Sequence, residues 1–294
     1  MADVPMPEEM IAWMRQRNWG AHHQQWHFVR RWDFWHAMAQ RADLPEADRQ
    51  DIQAMVAEAV ANGWTRAAIP EGTTGGGEEF LFMHRAMFHL LAQTFPQHYH
   101  TLRGWNSPPQ DPSTAEDPVP DDSAPPFAPG MTQAINEIEA AMPGFDSDDT
   151  FGLFLETNLR PMPGNPLERS DDARTGLHNY LHNRWSEDGS VINLGDPRVN
   201  IFNRRFWKLH GWIDYFWWRF RAAKGADDAD ASYQDKLNRS IAMMNMGGHH
   251  HGVDFEIAEA PPRGRETCSR STDRRGPWHR SMLPHGPVTP ASQR

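Results

Sequence analysis

Four of the sixteen histidines form two pairs with helical spacing, His23/His27 and His178/His182. Each pair is followed downstream by one more histidine in an aromatic-rich segment, His84 and His210. A side chain four residues on along a helix lies on the same face, one turn away. Two imidazoles so placed can grip one metal ion, and a third from another helix completes a trigonal site. Two such sites facing each other describe a dinuclear centre that binds oxygen. Neutral imidazole suits copper, zinc, iron and nickel, so histidine alone does not name the metal. His-Gln-Gln-Trp-His (23–27) and His-Asn-Tyr-Leu-His (178–182) both lack the Glu that follows the first His of a zinc-protease helix. No carboxylate stands at the spacing of a two-His-one-carboxylate iron site. Six histidines in an aromatic setting, three per metal, point to a pair of copper ions able to deliver two electrons to O2. A single histidine on an apolar helix face is ordinarily a core residue satisfied by a backbone carbonyl. Two matching triplets shift that balance.

Helices must carry these residues. Apolar positions recur at helical spacing and alternating patterns are scarce, which predicts helices over 7–17, 20–41, 46–63, 78–94, 131–142, 172–185, 200–223 and 230–245. In the segment 200–223, Phe202, Phe206, Leu209, Ile213, Phe216, Trp217 and Phe220 form one stripe, and His210 lies beside it. His84 has Phe80 and Phe88 one turn to either side. Most of the aromatic residues are expected in the core, with Trp26 and Trp207 as candidates to line the pocket. The expected fold is all-α, a helical bundle holding a dinuclear copper site, with long irregular loops. Residues 105–130 hold eight prolines and five acids and read as an irregular connection between two helical halves, each carrying one histidine triplet. Residues 1–250 are read as one copper-binding domain. Residues 251–294, rich in Arg, Pro, Ser and Gly, are expected to be a disordered tail.

The formal charge of −10 conceals an asymmetry: residues 261–294 carry +5, leaving the remainder near −15. An acidic body argues against nucleic acid as a partner, because phosphate binding needs basic surface. One cysteine, Cys268, excludes an intramolecular disulfide framework and any multi-cysteine metal site. No apolar run approaches the ~20 residues that span a bilayer, and the first residues lack the basic-then-apolar pattern of a signal peptide. No membrane association and a cytoplasmic location are expected.

Four segments carry a family resemblance. Gly-Ala-His-His-Gln-Gln-Trp-His (20–27) resembles the first copper-site segment of arthropod hemocyanins and phenoloxidases, and Gly-Glu-Glu-Phe-Leu-Phe-Met-His-Arg (77–85) resembles the segment bearing that site's third ligand. Leu-His-Asn-Tyr-Leu-His (177–182) is similar to the second-site helix. Phe-Trp-Lys-Leu-His-Gly-Trp-Ile-Asp (206–214), preceded by Asp196-Pro197, resembles the final ligand segment. The resemblance spans roughly residues 10–225 and implies a type-3 copper protein. The first copper would use His23, His27 and His84, and the second His178, His182 and His210. Tyrosinases, the sister family, place a first-site histidine where this chain has Gly75, so a tyrosinase-style alignment leaves that site incomplete. The N-terminal helical and C-terminal β-sandwich domains of arthropod hemocyanins, which screen the pocket from phenols, have no counterpart here, which implies a more open, enzymatic site. Asn179 follows His178 as in many tyrosinase-like enzymes, where an Asn and a nearby acid orient a water that deprotonates phenols. Glu168, Asp171 and Asp172 are the candidates for that acid, with Asp214 read as a structural anchor.

The expected activity is oxidation of small phenols, catechols or aromatic amines with O2. Two copper ions would be the cofactors, O2 and a small aromatic molecule the partners, and a copper chaperone a route of delivery. The alternatives are a hemocyanin-like oxygen carrier and a copper-storage protein without turnover. Met243, Met244, Met246 and His249–His251 form a Met/His cluster able to capture Cu(I), or else a linker with incidental histidines. His22, His36 and His89 lie near the expected ligands, and His98 and His100 read as surface residues.

Overall fold

The computed structural model describes residues 4–111, 117, 126–140, 144–187 and 189–245. Among these residues, regular structure is helical apart from isolated bridges such as Pro5 with Asn203. The helices are α1 (Glu8–Gln16), α2 (Trp19–Arg30), α3 (Trp32–Met38), α4 (Glu46–Ala61), α5 (Gly76–Thr94), α6 (Pro129–Ala140), α7 (Asp148–Glu156), α8 (Leu177–Arg184), α9 (Arg204–Ala223) and α10 (Ala231–Asn245). Short 3-10 helices cover Pro96–Leu102 and Asn200–Phe202. The expected all-α class holds. The expected tail and the His249–His251 cluster lie outside the described residues, as does half of the proline-rich connection. No described helix is long and apolar enough to cross a membrane.

α5 is the central helix. Phe80, Leu81, Phe82, Met83, Ala86, Met87 and Phe88 are all buried, so it is apolar all round and must be enclosed by other helices. It packs against α7, α10 and α9. The crossing with α7 is made at backbone distance. A Cβ on Gly77 would lie 2.2 Å from the Asp149 carbonyl oxygen, and one on Gly152 would lie 2.0 Å from the Gly77 carbonyl oxygen. Asp149 caps the α5 start by accepting from Gly75 N and Glu78 N at 2.9 and 3.2 Å, which places a carboxylate at the positive end of that helix. α9 carries the second large apolar stripe, with Phe206, Leu209, Ile213, Trp217 and Phe220 buried.

Three departures from the expected helices matter for the site. The segment 20–41 is two helices, not one, divided at Arg31 (φ −103°, ψ 20°). The carbonyls of Val29 and Arg30 accept from Ala67 N and Glu71 N, each at 2.9 Å, instead of continuing the α-helical ladder. The loop after α4 therefore competes for those acceptors and breaks the helix there. α7 was not expected. It is nucleated by a capping box in which Ser147 Oγ accepts from Thr150 N and Thr150 Oγ1 accepts from Ser147 N. The helix expected over 172–185 begins only at Leu177, after Gly176 in a left-handed conformation (φ 86°) that favours glycine.

Candidate metal centre

All six expected histidines come together in the interior. α2 brings His23 and His27, α5 brings His84, α8 brings His178 and His182, and α9 brings His210. Five of them are buried, and His27 is half-buried at the edge of the cluster.

The orientation of four rings is set by backbone carbonyls. Nδ1–H donates to Pro197 O at 2.8 Å in His23, to Phe80 O at 2.8 Å in His84, to Glu156 O at 3.3 Å in His178, and to Leu194 O at 2.8 Å in His182. An imidazole donating through Nδ1 carries its lone pair on Nε2. That is the arrangement in which a ligand histidine is held by its surroundings. The Nε2 atoms of His84 and His178 are buried without a hydrogen-bond partner. A buried acceptor left unsatisfied costs about 1–3 kcal/mol, so two in one cluster call for an electrophile.

The spacing also fits a metal. His23 Nε2 lies 3.2 Å from His27 Nε2, and His182 Nε2 lies 3.2 Å from His210 Nε2. Two nitrogens bound ~2.0 Å from one tetrahedral ion stand about 3.3 Å apart. Two trios have their ligand nitrogens all within 4.8 Å of one another: His23, His27, His84, and His84, His178, His210. The first is the trio expected from the sequence. The second includes His84, whereas the sequence reading placed His182 there. The His84 and His210 rings stack at 3.9 Å and 9°, so His84 sits between the two halves. The six histidines form one continuous cluster.

Burial keeps the cluster neutral. Desolvation, supplemented by His182 nearby, pushes the His23 imidazolium down to about 4, and desolvation does the same to His182. His27, His84, His178 and His210 fall well below the ordinary histidine value, first through burial and then through one another's charges. Neutral imidazole is the ligating form. The donor set is able to hold a metal ion, and imidazole by itself accommodates copper, zinc, iron or nickel.

A cleft of about 1000 Å³ opens on one side of the cluster and reaches His27, His178 and His182. Asn179, Asn183 and Gln24 supply amides, and Phe28, Phe34 and Trp35 form an aromatic wall. The Phe28 and Trp35 rings are nearly parallel, 6.4 Å apart.

Other expected residues fall elsewhere. Asn179 lines the cleft, but Glu168 sits on an exposed turn where its carboxylate binds Asn165 Nδ2 at 2.5 Å. Asp172 pairs with Arg174, and neither Asp171 nor Asp172 lines the cleft. The carboxylates that do are Asp51, Glu58 and Asp196, the last paired with Arg198. Asp214 is the expected anchor, paired with Arg85 at 2.6 Å. Trp207 is fully buried and donates to Ile201 O at 2.8 Å, away from the cleft. Trp26 is buried with its ring 4.7 Å from that of His27. Neither tryptophan lines the cleft. His36 bonds Trp32 O at 2.9 Å, and His98 pairs with Glu9. Met244 is buried in the core and Met243 is half-buried against it.

Behind the histidines stand charges that spacing does not announce: Arg30, Arg31, Glu71, Glu79 and Glu156 form a largely buried ion-pair network. Its one visible signal was the pair Arg30-Arg31, three residues after His27 in a helix otherwise headed for the core. No protein-family model matches the chain, and no curated protein matches it. The type-3 resemblance therefore rests on the four motifs.

Proposed function

We propose that this chain is a type-3 dicopper oxidoreductase acting on small phenols, catechols or aromatic amines. The observation that carries the reading is the cluster of six inward-facing neutral imidazoles, four of them fixed at Nδ1 by backbone carbonyls. His23, His27 and His84 would hold one ion, and His178, His182 and His210 the other, with His84 near both. When bound, a copper pair supplies two-electron exchange with O2.

The chain's own residues do the rest. The apolar packing around His23, His84 and His210 excludes water from the inner side. The cleft side admits a planar ring between His27, His178 and His182 and the wall made by Phe28, Phe34 and Trp35. Asn179, one residue after His178, offers an amide to a hydroxyl at that edge. Asp51 and Glu58 on α4, unlike Glu168, are carboxylates of the same cavity. The open cleft favours turnover over oxygen carriage, since a carrier needs its pocket closed to phenols.

The test is anaerobic loading with Cu(I), a copper count per chain, and then admission of O2. Two coppers per chain, an intense near-ultraviolet charge-transfer band and consumption of catechol are expected. His178→Ala should lose at least one copper and the band. Full loading with no band would overturn the type-3 reading. A band with no catechol turnover would make the protein a carrier, and binding of fewer than two coppers a store or degenerate site.

A further inference from the structure

Arg30 has a fully buried side chain, and each group it touches stands next to the support of a histidine. Its Nη1 and Nη2 grip both oxygens of Glu156, the second at 3.1 Å. Nη2 also donates to Gly76 O at 2.7 Å, and Nε stands 3.0 Å from Glu79 Oε2. The guanidinium lies over the Trp26 ring at 4.2 Å. Trp26 immediately precedes His27. Gly76 and Glu79 form the first turn of α5, and Phe80, next in the chain, gives the carbonyl that holds His84. The Glu156 carbonyl holds His178.

We infer that Arg30 is a positioning residue for the metal centre, a single fork that sets α2, α5 and α7 so that His27, His84 and His178 converge. The inference rests on reading the cluster as a metal site. A guanidinium is suited to the task because it offers five donors in one plane, whereas an ammonium is a point charge. Stability alone does not call for this device, since a buried ion pair is often replaced by apolar residues of similar volume at no loss. His178 is the ring most exposed to its removal, because its 3.3 Å anchor is the longest of the four.

Two variants test it in the full chain. Arg30→Lys keeps the charge and loses the fork. Arg30→Met combined with Glu156→Leu removes the two fully buried charges together and leaves only the partly exposed Glu79 without its partner. In metal-free protein, imidazole nitrogen NMR should show His178 as a single Nδ1–H tautomer in the wild type and as a mixture in both variants. Competitive titration with Cu(I) should show affinity falling by about tenfold to a hundredfold, the usual effect of losing groups that orient ligands, with the far-ultraviolet circular dichroism unchanged. Folded variants with the wild-type tautomer and affinity would overturn the inference. If neither Arg30 variant folds, Glu79→Gln decides, because it removes only the partly exposed arm: an affinity loss of about tenfold supports the inference, and unchanged affinity overturns it. A wild-type chain that takes up no copper would sink the dicopper reading, yet the tautomer comparison would still judge Arg30.

Discussion

Burial makes an imidazole costly to protonate, against the opposing pull of the carbonyl that its Nδ1–H serves, and this cluster holds six buried or edge-of-core imidazoles in mutual contact. In the unfolded chain each takes up a proton near the ordinary value of 6.5, but in the folded chain His23 and His182 do so only near 4. The folded values are depressed, so between these limits the unfolded state binds more protons and is favoured. The stability they contribute is fully present above pH 6.5 and is lost as the pH falls toward 4, at about 1.4 kcal/mol per pH unit for each imidazole. For His23 and His182 that is about 3 kcal/mol apiece at pH 4, and the other four histidines act with the same sign. Metal-free protein should therefore unfold on acidification above the carboxylate range, as followed by tryptophan fluorescence. Unfolding free energy that stays level from pH 7 to pH 4 would contradict this account. The histidines themselves were legible in the sequence because helical spacing and residue type are both written there. Their anchors were not. Pro197 O, Leu194 O, Phe80 O and Glu156 O are backbone atoms, which every residue type carries, and only the fold decides which one meets an imidazole.

At the scale of elements, the placement of His178 depends on a helix the sequence reading did not foresee. α7 has only nine residues and a glycine, Gly152, in its middle. Its capping box uses Thr150 where Glu or Gln is the usual signal. Low helix propensity hid it, and tertiary contact explains why it forms, since α5 approaches so closely that a side chain has no room. Gly152→Ala sets two effects against each other. Alanine in a helix interior gains about 1 kcal/mol over glycine. Against that, its Cβ would stand 2.0 Å from the Gly77 carbonyl oxygen, a clash with backbone. Overpacking of this kind costs typically ~1–3 kcal/mol and occasionally more, and rigid backbone on both sides puts this site at the upper end. Net destabilisation of about 2 kcal/mol or more is expected in urea unfolding. Metal uptake should also weaken, because Glu156 lies one turn further along α7. A Gly152→Ala protein of wild-type or higher stability would show that the two helices can separate without cost. The break at Arg31 was hidden for a related reason: the acceptors that end α2 are claimed by loop amides about forty residues later in the chain.

Across the whole molecule, burial is distributed unevenly around the cleft. The floor is the histidine cluster on α2, α5, α8 and α9, with α5 and α9 buried along most of their length. The far wall is α3 and α4. No residue of α3 is buried, and in α4 only Ala59 is. Phe34 and Trp35 therefore belong to the half-buried rim of the cleft, although composition alone assigned such residues mainly to the core. A few ties hold this wall: the Phe28–Trp64 ring contact at 5.6 Å, Gln53 Nε2 donating to Ala39 O at 2.9 Å, and the exposed Arg66–Asp33 pair. Surface pairs of that kind contribute ~0–1 kcal/mol. Local opening is governed by buried apolar contact, so segments with little of it open at free energies far below global unfolding. Backbone amides of α3 and α4 should consequently exchange with deuterium well before those of α5 and α9 in the metal-free protein. A catechol analogue bound against Phe34 and Trp35 should slow exchange in α3 and α4 and leave α5 unchanged. Uniform protection across all four helices would mean that the wall is as firmly built as the floor. The cleft would then be a fixed slot whose shape alone selects the substrate.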